Sequence, residues 1–242
     1  VPQQPASPET VKEEIKKEEI KIVKQPLFKE NMIMASGYIA ESIPVVGQVC
    51  DCPSEKTVSP KVSGVGQVAD SPSGMTLYGN GDILYVKMNN PAKPGDKYYV
   101  INVSEPVKHP ITGNTVGYVI TISGIVEIQE MKDGDAMAKV TQCFGEISQG
   151  DMLDVYYEIK PPMTDGKFRS PDINGMIVAA ARQMMLQTSL DVVYIDKGSK
   201  DGIEPGDRFK TMAVDTHAVP NGTIQVISCK DHTATAIIQS SS

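Results

Sequence analysis

The sequence predicts a mainly β protein: two tandem related small β domains, preceded by an extended arm and a charged linker. Three observations carry that expectation. Valine, isoleucine, threonine and tyrosine recur in short runs bounded by Gly, Pro, Asn and Asp clusters, while aromatic content is only 5% and tryptophan is absent, a pattern of many short strands. An apolar share of 40% over 242 residues is enough to fill ordinary packed cores. Finally, one long stretch of the chain repeats itself.

Taken in order, residues 1–26 are a charged, Pro-rich linker. Pro2, Pro5 and Pro8 precede "ETVKEEIKKEEIKIVK", where pairs such as Glu13 and Lys17 support a solvated helix and only Val11, Ile15 and Ile22 fall near one face. Residues 27–65 form the extended arm, mixing apolar pairs with turn residues in "MIMASGYIAESIPVVGQVCDC". Too small for a core of its own, the arm must be covered by the β domains or by a partner. A strand added to an exposed sheet edge gains main-chain bonds and side-chain pockets, so Met32, Ile33, Met34, Tyr38, Val45 and Val46 are candidate partner contacts. Residues 66–158 are the first β domain, 159–172 a linker with three prolines, and 173–242 the second β domain, expected to be truncated at its C-terminus.

The repeat sets "GQVADSPSGMTLYGNGDILYV" (66–86) on "GMIVAAARQMMLQTSLDVVYI" (175–195) without gaps. Gly66 meets Gly175, Val68 meets Ile177, Met75 meets Met184, Leu77 meets Leu186, Asp82 meets Asp191 and Tyr85 meets Tyr194. "PGDKY" then matches "PGDRF", "SGIVEIQEMKD" lies on "NGTIQVISCKD", and "AMAKVTQCF" is set against "TATAIIQSS", each with the alternation of a half-buried strand. The first copy carries extra residues around "VKHPITGNTVGYVI", which read as an added hairpin with TGN at its tip. It also continues into "GEISQGDMLDVYY", for which the second copy shows no counterpart.

The string "DKGSKDGIEPGDRF" (196–209) invites a metal or phosphate reading. Its duplicate "KMNNPAKPGDKY" keeps only the Pro-Gly-Asp, and the spacing fails the D-x-[DN]-x-[DN]-G pattern of a calcium loop. Gly95, Gly202 and Gly206 suit positive φ, and Asp96 and Asp207 can bond the nearby backbone, so these five are assigned to structural turns.

A formal charge of −7 and a pI near 5.0, without a basic stripe, argue against nucleic-acid partners. No apolar run approaches the roughly 20 residues of a spanning helix. Ser63, Ser73 and Ser123 lack the G-x-S-x-G elbow, and His109, His217 and His232 are scattered without metal-ligand spacing. No catalytic residue, metal or cofactor is expected. Cys143 and Cys229 read as small core residues, and Cys50 and Cys52 are a candidate disulfide whose connectivity the sequence leaves open.

The stretches "GQVADSPSGMTLYGNGDILYVKMNNPAKPGDKYYVI", "VKHPITGNTVGYVITISGIVEI", "GEISQGDMLDVYY", "GMIVAAA" and "VVYIDKGSKDGIEPGDRF" together resemble the region downstream of the LysM module in secretin-associated LysM proteins of type IV pili. The second part is similar to the C-terminal domain of flagellar assembly protein T, and "MASGYIAE" resembles the segment before the family's first β domain. The resemblance implies a non-catalytic periplasmic protein, present in multiple copies around a ring, that braces an outer-membrane secretin. No LysM-like pattern occurs in residues 1–65, so contact with peptidoglycan is expected only through a module outside this sequence. A periplasmic glycan- or small-molecule-binding module, or a flagellar basal-body ring component, stays open as the alternative.

Overall fold

A computed structural model describes residues 25–41, 64–132, 135–159, 161–164, 166–181, 188–214 and 218–241. Residues 1–24 of the linker, with the helix expected in "ETVKEEIKKEEIKIVK", the matched Met184 and Leu186, and the candidates Val45, Val46, Cys50 and Cys52 lie outside the described residues. Along the chain stand β1 (Gln25–Pro26), α1 (Glu30–Ser36), β2 (Tyr38–Ala40), β3 (Gly66–Asp70), β4 (Leu77–Tyr78), β5 (Ile83–Met88), β6 (Lys97–Lys108), β7 (Thr115–Lys132) and β8 (Asp135–Cys143). They are followed by β9 (Ile147–Ser148), β10 (Met152–Val155), β11 (Met163–Thr164), β12 (Ile177–Ala180), β13 (Val192–Ile195), β14 (Arg208–Val214), β15 (Ala218–Cys229) and β16 (Ala234–Ser241). The protein is mainly β, and among the described residues no helix is long and apolar enough to cross a membrane.

In the first sheet the order β7-β6-β10-β3-β5-β8 closes through an additional β7–β8 pairing, giving a barrel, and β2 adds to the outer part of β7. Alternation places Leu84 and Val86 of β5, and Ala136, Ala138 and Val140 of β8, inside with Val68, Val100, Val126 and Leu153. The second sheet runs β12-β13-β16-β15-β14, the barrel's own order of β3-β5-β8-β7-β6, and no described residue pairs in the place of β10. Its inner face carries Val193, Ile195, Ile224, Val226, Ala234, Ala236 and Ile238.

Pairing repeats residue by residue. Val68 opposite Val86 and Asp70 opposite Tyr85, with a bulge between them, correspond to Ile177 opposite Ile195 and Ala179 opposite Tyr194, again with a bulge between. Tyr98 opposite Val126 corresponds to Phe209 opposite Ile224. The last strand corrects the sequence alignment by one residue. Met131 faces Ala136 and Cys229 faces Ala234, so Ala136, Ala138 and Val140 match Ala234, Ala236 and Ile238. The alternating small residues of "TATA" allow a one-residue slip on paper, but the slip would turn every side chain to the other face. Gly124 and Gly222 hold equivalent sites because β7 and β15 are pressed there against the next strand. A Cβ on Gly124 would lie 2.6 Å from the Gln142 carbonyl, and one on Gly222 would meet the Ser240 carbonyl.

The inserted hairpin is real and lengthens β6 and β7 beyond the barrel, turning at His109–Asn114. Against its far end lies the arm, which departs from the extended conformation expected. After β1 pairs with β11, residues 30–36 coil into a seven-residue helix that ends at Gly37 with φ 65. Adjacent helical positions point about 100° apart. Ile33 therefore packs with Phe28, Ile227 and Ile237 of the second sheet, while Met34 packs with Tyr99, Ile120, Ile122 and Ile125 of the first.

Candidate functional site

Two places concentrate chemistry: the joint between the sheets and an open seam in the second sheet. The joint is built on β2. Its backbone pairs with β7 at Tyr38–Ile120, Ile39–Val119 and Ala40–Tyr118. On the other side, the carbonyls of Ser36, Gly37 and Ile39 accept hydrogen bonds from Tyr194 Oη (2.8 Å), Thr235 Oγ1 (3.0 Å) and Thr233 Oγ1 (3.4 Å). Ile39, Val119 and Tyr194 form a buried cluster between these bonds. Burial pushes the Tyr194 phenol well above its ordinary pKa, so it remains a hydroxyl donor.

At the hairpin tip, His109 Nδ1 accepts hydrogen bonds from the Ile111 and Thr112 N–H groups, and Nε2 faces Asp196 Oδ2 at 3.2 Å. That leaves Nε2 as the protonated nitrogen donating to the carboxylate. The other Asp196 oxygen accepts from the Met176 N–H at 2.6 Å. This histidine, which the sequence showed only as one of three scattered histidines, ties the first sheet to the second.

The glycine–aspartate turns behave as one device. In each, a carboxylate accepts the N–H three residues back: Asp82 from Gly79, Asp96 from Lys93, Asp151 from Ser148, Asp191 from Thr188, Asp201 from Gly198 and Asp207 from Glu204. Gly95 and Gly206, at φ 91 and 100, donate their N–H groups to Ile128 and Val226 of the neighbouring strand. Gly202, at φ 87, closes the single 3-10 turn of Ser199–Asp201. Asp207 differs from Asp96 in having a cation. Arg169 Nε lies 3.0 Å from Asp207 Oδ1, its Nη2 donates to the Gly202 carbonyl at 2.9 Å, and its Nη1 pairs with Glu204. Burial first, then the Asp207 and Glu204 charges, push the nearby Cys229 thiol up to about 12.

The arm candidates divide. Ile33 and Met34 are buried inside the chain and present no surface to a partner, a correction that follows from the two sheets flanking α1. Met32 is half-buried beside the Ile33 cluster, and Tyr38 is half-buried with Lys230 Nζ 4.1 Å from its ring centroid. Among the described residues no three His, Cys, Asp or Glu side chains converge as a metal site.

The seam is the remaining feature. In the first sheet β10 pairs on one side with β6, from Met152–Ile101 to Val155–Tyr98, and on the other with β3, at Met152–Gln67 and Leu153–Gly66. Leu153 is wholly buried there. Between β14 and β12 the second sheet instead has a cleft of about 370 Å³, floored by Ile173, Ile195, Ile203, Phe209 and Ile224 and flanked by Lys197 and Lys210. Gly175 and Met176 line it where Gly66 and Gln67 meet β10.

Fold and seam together define a mainly β protein whose described residues form a barrel and a half-barrel of the same strand order. No protein-family model matches the chain, and no curated protein sequence matches it either. Sequence reasoning missed Arg169, hidden in the Pro-rich boundary, and also Gly175, Met176 and Lys210. For the last three a signal existed in the repeat alignment, which sets Lys210 against the buried Tyr99.

Proposed function

We propose that the chain is a non-catalytic structural component of a bacterial envelope machine, bracing an outer-membrane secretin from the periplasm in several copies around the ring. The observation that carries this reading is the joint. One segment of chain, residues 27–40, is hydrogen-bonded into the first sheet and buried against the second, so both sheets are held as one body around it. A brace needs a fixed angle between its parts, and a joint of this kind supplies it. The resemblance of its motifs to secretin-associated LysM proteins supports the same role, with residues 66–158 and 173–242 as its two β domains. Because Ile33 and Met34 are used internally, contact with the ring is assigned to sheet edges rather than to α1.

Detergent-extracted secretin rings incubated with the purified chain test the proposal. Co-sedimentation at a fixed ratio of chain to secretin subunit is the expected result. Failure to sediment with the rings, or turnover of peptidoglycan by the chain, would overturn it.

A further inference from the structure

We infer that the hairpin tip at His109–Asn114 is a proton-sensitive element: uptake of a proton by His109 opens the turn at the tip while the tie to the second sheet is kept. The inference goes beyond bracing and does not rest on it, because every group it uses lies in the tip or in the segments that face it.

The turn is built around one lone pair. Pairing of β6 with β7 ends at Lys108 and Thr115, and beyond it the His109 N–H donates to the Asn114 carbonyl at 2.8 Å and the Gly113 N–H to the His109 carbonyl at 2.9 Å. Within that loop the Ile111 and Thr112 N–H groups, at 3.2 and 3.3 Å, share His109 Nδ1 as their acceptor. An oxygen of Asp or Asn ordinarily fills such a place, and neither side chain changes its protonation near neutral pH. An imidazole does.

A second proton has one place to go. Nε2 faces Asp196 Oδ2 at 3.2 Å and carries the hydrogen of the neutral ring, so protonation must occur at Nδ1. A protonated nitrogen has no lone pair to offer, and both turn bonds are then lost together. Little opposes the opening. Ile111 is 74% exposed, so the tip leaves no core behind when it moves and water can take the freed N–H groups.

On its other side the ring gains what the turn loses. The His109 and Asp196 side chains are each 17% exposed, so charging the imidazole turns their hydrogen bond into an ion pair that solvent screens only in part. The remaining charges are few. Lys197 Nζ lies 4.0 Å from the same Asp196 oxygen, the start of β12 offers the Met176 N–H to the other oxygen at 2.6 Å, and the hairpin's own Lys108 is exposed. Asp196 is therefore held in place while the ring in front of it charges. One proton loosens the tip and tightens the tie.

The test compares the isotope-labelled chain at about pH 8 and about pH 5, either side of a histidine's ordinary pKa of about 6.5. At the higher pH, ring-nitrogen chemical shifts should show a proton on Nε2 and none on Nδ1, with the Ile111 and Thr112 amides protected from exchange. At the lower pH both ring nitrogens should carry protons. Protection of the two amides, corrected for the intrinsic exchange rate, should fall about fivefold or more, the worth of one net hydrogen bond, while that of the Met176 amide is unchanged. His109→Asn places an oxygen where Nδ1 stands, and should keep Ile111 and Thr112 protected at both pH values in a variant that a thermal melt shows to be folded. Equal protection of these amides at the two pH values in the unsubstituted chain, or a neutral ring protonated at Nδ1, would overturn the inference. A pH response that persists in His109→Asn would also do so, as would loss of Met176 protection in acid, since the tie would then be released with the turn. None of these readouts involves a secretin, so the bracing role stands or falls separately.

Discussion

β8 and β16 occupy the same place in their sheets and bury the same inner positions, yet their outer faces differ. On β8 the outward residues are Asp135, Met137 and Lys139, and Lys139 is exposed; their counterparts are Thr233, just before β16, and Thr235 and Ile237 on it, all buried. The difference is the arm, which covers β16 and leaves β8 wet. The half-barrel is thus supported from behind. A strand buried on both faces reads as a continuous run of small and apolar residues, as "TATAII" does, whereas a half-exposed one alternates.

The largest effect should come from Ile39→Ala, which empties the cluster between the sheets and should cost about 3 kcal/mol. Met137→Ala, on the water-facing side of β8, should cost under about 1 kcal/mol. Urea denaturation of both variants sharpens the contrast. Equal losses would mean that the arm does not support β16 more than solvent supports β8.

Second in size is the pair of turn aspartates. Asp207→Asn removes a buried carboxylate from both a backbone N–H and Arg169, and should cost about 2 kcal/mol after allowance for the half-exposed arginine. Asp96→Asn loses only the charge on a turn bond, and should cost about 1 kcal/mol. Thermal melts at pH 7 distinguish them, and a larger loss at Asp96 would reverse the ranking of the two turns.

The smallest effect is a gain. Leu190 sits at φ 75 where the first copy has Gly81 at φ 89, and both donate N–H groups across to the last strand, to Ile238 and Val140. Leu190 is 67% exposed, so Leu190→Gly gives up little packing, relieves a left-handed leucine and should stabilise by about 0.5–1 kcal/mol. A lowered midpoint in urea would count against equivalence of the two turns.

Much of this architecture was legible beforehand. Tyr85 and Tyr194 fall on equivalent strands, and the Pro-Gly-Asp pairs are the turns that glycine and aspartate chemistry demands. The arm was not legible as a helix, because seven residues cannot hold helical structure in water and α1 owes its form to the sheets around it. Nor could Met32-Ile33-Met34 reveal which apolar neighbour faces which sheet. Arg169 was hidden for a related reason: its partners lie 33 and 38 residues away, and local spacing carries no record of them.

The joint also sets an order of assembly. Ser36 and Tyr194 are 158 residues apart, and Gly37 and Thr235 are 198 apart, so the arm closes the longest loops among these joint contacts. Contacts of such separation form late, because the loop entropy is lost before the contact repays it. Residues 27–40 precede both sheets in the chain, yet their seat against Ile227 and Ile237 does not exist until β15 and β16 have paired. The first of these segments to be made is therefore the last to be placed, and its docking reports that β13, β15 and β16 have come together.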